Sequence, residues 1–133
     1  MSARNSNLTR AKILVVEDDA IIALEIAATL MDVGYTVLGP VASVTQALAL
    51  LDADKPDAAL LDLRLLDSLA TPVAAALRAG AVPFALVTGY VDADLDAVLA
   101  SAPRLIKPFG SAEVEHIARQ LLDQARPIPP RSE

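Results

Sequence analysis

Short apolar runs alternate with longer segments of helical periodicity along this chain. The apolar runs lack alternating polar positions, which is typical of strands buried on both faces of a parallel sheet. The segments between them place apolar residues three or four positions apart, as amphipathic helices do. The pattern predicts five strands, over residues 13–16, 35–41, 58–61, 84–87 and 105–106.

Local signals at the ends of the intervening segments support five helices. Ser43 and Gln46 form a capping-box pattern, and Pro72 suits the first turn of a helix. Gly34 and Gly80 are expected to end the first and third helices. Five successive strand–helix pairs predict an α/β doubly wound fold with a parallel sheet. The predicted helices cover residues 20–33, 44–52, 69–79, 92–100 and 111–124.

Composition and charge exclude several classes of protein. The 133 residues suit one domain, and 54% hydrophobic with 21% charged residues excludes a disordered chain. Cysteine is absent and histidine occurs once, which excludes disulfides, thiol chemistry and a multi-histidine metal site within one chain. A net charge of −6 and 3% aromatic residues argue against nucleic-acid binding. No apolar stretch reaches the roughly 20 residues of a membrane span, so we expect a cytoplasmic protein without a membrane or nucleic-acid partner.

The chain is expected to form one folded domain over residues 12–125. Residues 1–11 are polar and are predicted to be a disordered N-terminal segment. Residues 126–133 contain three of the nine prolines and are predicted to be a proline-rich C-terminal tail. This layout favours a stand-alone protein over a fragment of a longer one.

Polar side chains follow four of the predicted strands. In a parallel sheet these strand ends meet at one edge, where ligands of such folds bind. Carboxylates about 4 Å apart repel by roughly 4 kcal/mol at an effective dielectric of 20, so we expect a cation among them. Oxygen ligands without imidazole or thiolate favour Mg²⁺. Singly, each residue has an ordinary structural interpretation, and only the set indicates a site. Its members are Glu17, Asp18 and Asp19 after the first strand, Asp62 after the third, Thr88 after the fourth and Lys107 after the fifth.

These residues resemble a known family. Asp18 with Glu17, Asp62, Thr88 and the segment Lys107-Pro108-Phe109 is similar to the motif of receiver domains of two-component response regulators, over about residues 12–124. The resemblance implies a flavodoxin-like fold with a five-stranded parallel sheet of order 2-1-3-4-5. The stretches 39–43, 87–90 and 107–109 are most similar to stand-alone receivers of alphaproteobacteria, which are paired with histidine kinases.

The resemblance also implies a phosphorylation site. Asp62 would accept a phosphoryl group from the phosphohistidine of a histidine kinase or phosphotransfer protein, forming an aspartyl phosphate. Asp18, Asp62 and the backbone carbonyl of Arg64 would bind Mg²⁺ directly, and Glu17 would act through a metal-bound water. Asp19 is expected to cap the following helix instead. Receivers catalyse their own phosphorylation and dephosphorylation, so the protein would not be an enzyme with a separate substrate.

A second set of residues is expected to bind the phosphoryl group and to change the conformation of the protein surface on phosphorylation. Lys107 and Thr88 would contact phosphoryl oxygens, and the Lys107–Pro108 peptide bond is expected to be cis. Receivers usually carry an aromatic switch residue at the position of Arg104, and Tyr90 is predicted to replace it. The switching surface would comprise the fourth helix, fifth strand and fifth helix. Homodimerisation through this surface is an open alternative, and the sequence does not identify the downstream target. The helix over residues 20–33 often belongs to the kinase-docking surface of receivers.

Two alternatives to this function remain. One is a receiver-like module that binds proteins without being phosphorylated. The other is a small phosphatase of the haloacid-dehalogenase type with an aspartate nucleophile. That class usually has a second aspartate two residues after the nucleophile, where this chain has Arg64. A flavin carrier is disfavoured because Glu17, Asp18 and Asp19 would repel a phosphate at the first strand end.

Overall fold

The computed structural model describes residues 11–65, 68–89, 99 and 101–125. Five strands form one parallel sheet of order β2-β1-β3-β4-β5, which confirms the predicted flavodoxin-like order. The strands are β1 (Lys12–Val16), β2 (Thr36–Val41), β3 (Ala58–Asp62), β4 (Phe84–Thr88) and β5 (Arg104–Ile106). The described helices are α1 (Ala20–Val33), α2 (Val44–Ala53), α3 (Thr71–Ala79) and α4 (Ser111–Ala125).

Several predictions fall on parts of the chain that the structure does not describe. These are the N-terminal segment up to residue 10, the tail over 126–133, Tyr90 and most of the helix predicted over 92–100. Leu99 is the described residue of that predicted helix, and it is buried in the same core cluster as residues of α2 and α3. Among the described helices, none is both long and apolar enough to span a bilayer.

Alternation along the strands divides the core into two layers. Leu14 and Val16 of β1 face one side of the sheet, and Ile13 and Val15 face the other. The first side is covered by α2 and α3, and the second by α1 and α4. Because β1, β3 and β4 lie in the middle of the sheet, helices bury them on both faces, which explains their unbroken apolar runs.

The helix ends follow the local signals with two small differences. The Ser43 hydroxyl accepts the Gln46 N–H at 3.1 Å, but the Gln46 side chain accepts the N–H of Ala42 at 3.0 Å rather than that of Ser43. The third helix begins at Thr71 rather than at residue 69, because Leu69 pairs with Arg64 in an isolated antiparallel bridge. The other boundaries of the described helices and strands lie within about one residue of the prediction.

Candidate functional site

The sheet order brings the polar strand ends to one edge. β1, β3, β4 and β5 are consecutive neighbours and run parallel, so their carboxyl ends point the same way. Glu17 follows β1 directly, and Lys107 follows β5 directly. Asp62 is the last residue of β3, and Thr88 is the last residue of β4. The predicted convergence of these residues therefore follows from the topology.

Three carboxylates form an acidic cluster at this edge. Glu17, Asp18 and Asp62 each offer one oxygen, and these oxygens lie within 4.8 Å of one another. Glu17 is only 2% exposed and Asp62 only 7% exposed, whereas Asp18 is half-buried. Burial and the nearby Glu17 carboxylate raise the pKa of Asp62 to about 6. Burial, followed by the Asp62 carboxyl, raises the pKa of Asp18. Ionising Asp62 and Asp18 at this edge therefore costs more free energy than ionising exposed carboxyl groups.

Lys107 supplies one positive charge to the cluster. Its ammonium lies 3.4 Å from Oε1 of Glu17 and 3.6 Å from Oδ2 of Asp62. Burial alone would lower the pKa of Lys107, but the charges of Asp62 and Glu17 outweigh burial and raise this pKa above its usual value. One ammonium among three ionised carboxylates leaves a local net charge of two negative. A further cation would therefore be attracted to this edge.

The donor set fits a hard divalent cation. All three groups are carboxylates, which are the ligands that Mg²⁺ prefers in proteins. Oε1 of Glu17 is buried; it forms the ion pair with Lys107 at 3.4 Å but has no hydrogen-bond partner among the residues that the structure describes. Because the Lys107 ammonium is shared with Asp62, a second cation or an ordered water would further stabilise this buried oxygen. The cluster could therefore bind a metal ion, as the sequence predicted.

Asp19 lies outside the cluster and caps α1. Its Oδ1 accepts the N–H groups of Ile21 and Ile22 at 3.0 and 3.1 Å. Its own N–H donates to Oε2 of Glu17 at 3.0 Å. The predicted capping role is confirmed, and the cap also anchors one oxygen of the acidic cluster.

Arg64 lies just beyond the end of β3. Its N–H donates to Oδ1 of Asp62 at 3.3 Å, and its side chain is exposed. The Leu65 N–H donates to the Ser68 carbonyl, and the Ala70 N–H donates to that of Leu63. These bonds bring residues 63–65 against residues 68–70. The role of the Arg64 carbonyl as a metal ligand stays a prediction.

Thr88 and Lys107 are linked through the backbone. The Lys107 N–H donates to the Thr88 carbonyl at 2.8 Å, and Thr88 is buried. The Lys107–Pro108 peptide bond is cis, and so is Gly39–Pro40. Arg104 begins β5 opposite Leu86 and is half-buried. The switch roles of Thr88 and Tyr90 stay predictions, since Tyr90 lies outside the described residues.

One contribution to the site was missed by the sequence analysis. The Glu17 N–H donates to the carbonyl of Val41, at the end of β2, at 2.9 Å. The available signal was Gly39-Pro40 within a predicted strand, a pair that often marks an irregularity in a sheet. β2 was predicted only as a strand, without a link to the acidic residues.

Comparison with solved structures supports a single family. The structure is similar to SdrG from Sphingomonas melonis Fr1, with 34% identity over 88% of this chain and 97% of that one, and a TM-score of 0.71. The BeF3-activated conformation of SdrG, from Pseudomonas melonis Fr1, matches with 38% identity over 92% of this chain and 99% of that one, at a TM-score of 0.70.

A response regulator receiver domain (CheY-like) from Methylobacillus flagellatus is 27% identical, with coverage of 84% and 98% and a TM-score of 0.72. The response regulator PhyR from Brucella abortus is 25% identical at a TM-score of 0.73, and the match covers 92% of this chain but only 53% of PhyR. No family model and no curated protein matches the sequence. With this fold, this acidic edge and these relatives, the chain belongs to the receiver domains of response regulators.

Proposed function

We propose that this receiver accepts a phosphoryl group on Asp62 from the phosphohistidine of a histidine kinase. The observation that carries the proposal is the buried Asp62 carboxylate, 3.6 Å from the Lys107 ammonium and clustered with Glu17 and Asp18. In the transfer, an Asp62 oxygen forms a bond to phosphorus while the phosphorus–nitrogen bond of the donor breaks. Such a transfer depends mainly on positioning and on charge neutralisation.

The acidic cluster is suited to hold Mg²⁺ during this reaction. Bound there, Mg²⁺ would supply positive charge against the carboxylates and the phosphoryl oxygens. Asp18, Asp62 and the Arg64 carbonyl are the proposed direct ligands, with Glu17 acting through a water. Because the pKa of Asp62 is about 6, its carboxylate is mostly ionised above pH 7 and is able to attack.

Lys107 and Thr88 are proposed to bind the transferred group. The Lys107 ammonium, already beside Asp62, would pair with one phosphoryl oxygen. The Thr88 hydroxyl would donate to another. Since Lys107 and Thr88 share a backbone hydrogen bond, an inward movement of one strand end would affect the other. We propose that this shift alters the surface around β5 and α4, together with Tyr90, for a downstream protein or a second copy.

The same groups are proposed to let the protein catalyse its own phosphorylation and the later hydrolysis of the aspartyl phosphate. A small-molecule phosphodonor would then suffice for labelling. We expect acetyl phosphate with Mg²⁺ to add one phosphoryl group per chain, detected by intact-mass spectrometry. EDTA is expected to prevent the reaction. Absence of labelling with Mg²⁺ present would instead favour the phosphorylation-independent binding module.

The exposed side of α1 is the proposed kinase-docking surface. Ile21, Leu24 and Met31 are 70%, 66% and 58% exposed, and with the exposed Ala28 they are spaced three or four residues apart. This spacing forms an apolar stripe that fits between the helices of a bundle. Since α1 begins just after the acidic cluster, a helical partner on the stripe would bring its histidine close to Asp62.

Replacing Leu24 with glutamate is expected to weaken phosphotransfer from the kinase. A charge in the centre of the stripe removes apolar contact and must be desolvated on docking, so we expect a loss of about tenfold or more in transfer rate. Labelling by acetyl phosphate is expected to stay at the wild-type level, because Leu24 is exposed on α1 and is not a member of the cluster. The measurement is a time course with the histidine kinase that phosphorylates the wild type most rapidly.

The matched control for this substitution is Leu48→Glu. Leu48 is 37% exposed on α2, which covers the opposite face of the sheet. The control is expected to retain wild-type transfer from the kinase. Equal transfer rates for Leu24→Glu and the wild type would show that the kinase docks elsewhere.

A further inference from the structure

β2 contains one residue more than its partner strand requires. Lys12, Ile13 and Leu14 of β1 pair in order with residues 36–38 of β2, but Val16 pairs with Val41. Two steps along β1 are therefore matched by three steps along β2, which defines a bulge at residues 39 and 40. The bulge lies one residue before the end of the strand.

The bulge also changes the side of the sheet to which the last side chain of β2 points. Leu38 and Val41 both pack against the core beneath α2 and α3. In a regular strand, residues three positions apart would face opposite sides of the sheet. The extra residue therefore places the Val41 side chain on the same side of the sheet as that of Leu38. In the neighbouring strand, Val41 pairs with Val16 of β1.

Only glycine fits the first position of the bulge. Gly39 has a φ of +91°, in the left-handed region that favours glycine. A Cβ at this position would lie 2.8 Å from the Val41 nitrogen and 3.0 Å from the Val15 carbonyl oxygen. Both atoms belong to the backbone, so an alanine here must displace Val41 or the β1 strand.

Val41 is the residue through which the bulge reaches the acidic cluster. Its carbonyl accepts the Glu17 N–H at 2.9 Å, which extends the β1–β2 pairing one residue beyond β1. The side chain of Glu17 is held as well, because its Oε2 accepts the Asp19 N–H at 3.0 Å. Glu17 is thus anchored twice by backbone groups, and Oε1 is left buried beside Lys107.

We propose that Gly39 is a positioning residue for the metal site, acting through Val41 and Glu17. The glycine allows the backbone to form the bulge, and the bulge determines the position of the Val41 carbonyl. Because this carbonyl binds the Glu17 N–H, it also determines where the Glu17 carboxylate lies in the cluster. Metal sites commonly depend on such supporting contacts, whose loss lowers affinity by about 10–100-fold. The inference rests on the proposed Mg²⁺ site and adds a structural element to it.

The test is a set of Mg²⁺ titrations followed by NMR in the absence of any phosphodonor. We expect Gly39→Ala to weaken Mg²⁺ binding by about tenfold. The matched control is Gly80→Ala, because a Cβ on Gly80 would meet atoms only at 3.7 Å or beyond and Gly80 ends α3 rather than contacting the acidic cluster. The control is expected to bind Mg²⁺ as the wild type does.

A double-mutant cycle separates positioning from general damage. If Gly39 acts through Glu17, adding Gly39→Ala to Glu17→Gln is expected to cause no further loss of affinity. A full additional loss in the double variant would overturn the proposal, as would wild-type affinity in Gly39→Ala. A wild-type protein that binds no Mg²⁺ would instead refute the proposed function itself.

The wild type provides a second readout should Gly39→Ala fail to fold. Mg²⁺ binding is expected to shift the NMR signals of the Glu17 amide nitrogen and the Val41 carbonyl carbon with the same affinity as the Asp62 signals. Unchanged signals at Glu17 and Val41 through the titration would contradict the proposed link.

Discussion

Replacing Asp62 with asparagine is expected to abolish labelling by acetyl phosphate. Asparagine has nearly the shape of aspartate, and its Oδ1 is able to keep the bond from the Arg64 N–H. Its amide is a poor nucleophile toward phosphorus, so the covalent step loses its acceptor while the surrounding contacts are retained. Intact-mass spectrometry after incubation with Mg²⁺ and acetyl phosphate checks this directly.

The control for this experiment is Asp52→Asn. Asp52 is exposed on α2 and lies outside the acidic cluster, so this variant is expected to be labelled like the wild type. Labelling of Asp62→Asn at the wild-type rate would identify another acceptor, and the proposed role of Asp62 would be wrong. Peptide mapping of the wild-type adduct provides an independent assignment of the modified residue.

The same substitution is expected to stabilise the metal-free protein at neutral pH. The pKa of Asp62 is about 6 in the folded protein, against about 4 in an unfolded chain. Below pH 4 the carboxyl is protonated in both states and contributes no difference. Between pH 4 and 6 the unfolded chain loses the proton first, so the stability of the fold falls as the pH rises. Above pH 6 the destabilisation is complete and constant.

Asparagine carries no charge and avoids this destabilisation. A difference of two pKa units corresponds to about 2–3 kcal/mol, so we expect Asp62→Asn to raise the free energy of unfolding by about 2 kcal/mol at pH 8. At about pH 3, below both pKa values, the variant and the wild type are expected to be equally stable. Urea denaturation at both pH values in EDTA provides the measurement.

Addition of Mg²⁺ at pH 8 is expected to reduce this difference. A cation in the cluster would stabilise the ionised wild type by mass action, and it would bind the asparagine variant less tightly. A variant less stable than the wild type at pH 8 without metal would mean that the Asp62 carboxylate is well solvated or neutralised in the fold.

The order of secondary structure could be predicted from the sequence because its causes are local. Unbroken apolar runs reflect burial on both faces of a sheet, and helical spacing reflects burial of one stripe. Helix ends could also be predicted where a single residue forms the cap, as Asp19 does before α1 and Gly34 does after it. The start of α3 was misjudged because Leu69 pairs with Arg64 across a turn, which involves more than local propensity.

The membership of the acidic cluster was also predictable, but only by way of the fold. Glu17 and Asp62 are 45 residues apart in the chain, and they meet because β1 and β3 are adjacent in the sheet. Predicting that the two residues meet therefore requires the order of strands in the sheet. The right-handed crossover rule and the family resemblance together provided this order.

The succession of strands and helices, the helix caps and the polar residues at the strand ends could all be predicted from the amino-acid sequence, because they depend on interactions among near neighbours in the chain. Three properties of the site required the folded structure: the raised pKa of Asp62, the Glu17 oxygen that has no hydrogen-bond partner among the described residues, and the contact between the bulge at Gly39 and Glu17 by way of Val41. These properties depend on distances and burial between segments remote in sequence, since both Coulomb energy and desolvation are functions of position in the folded protein.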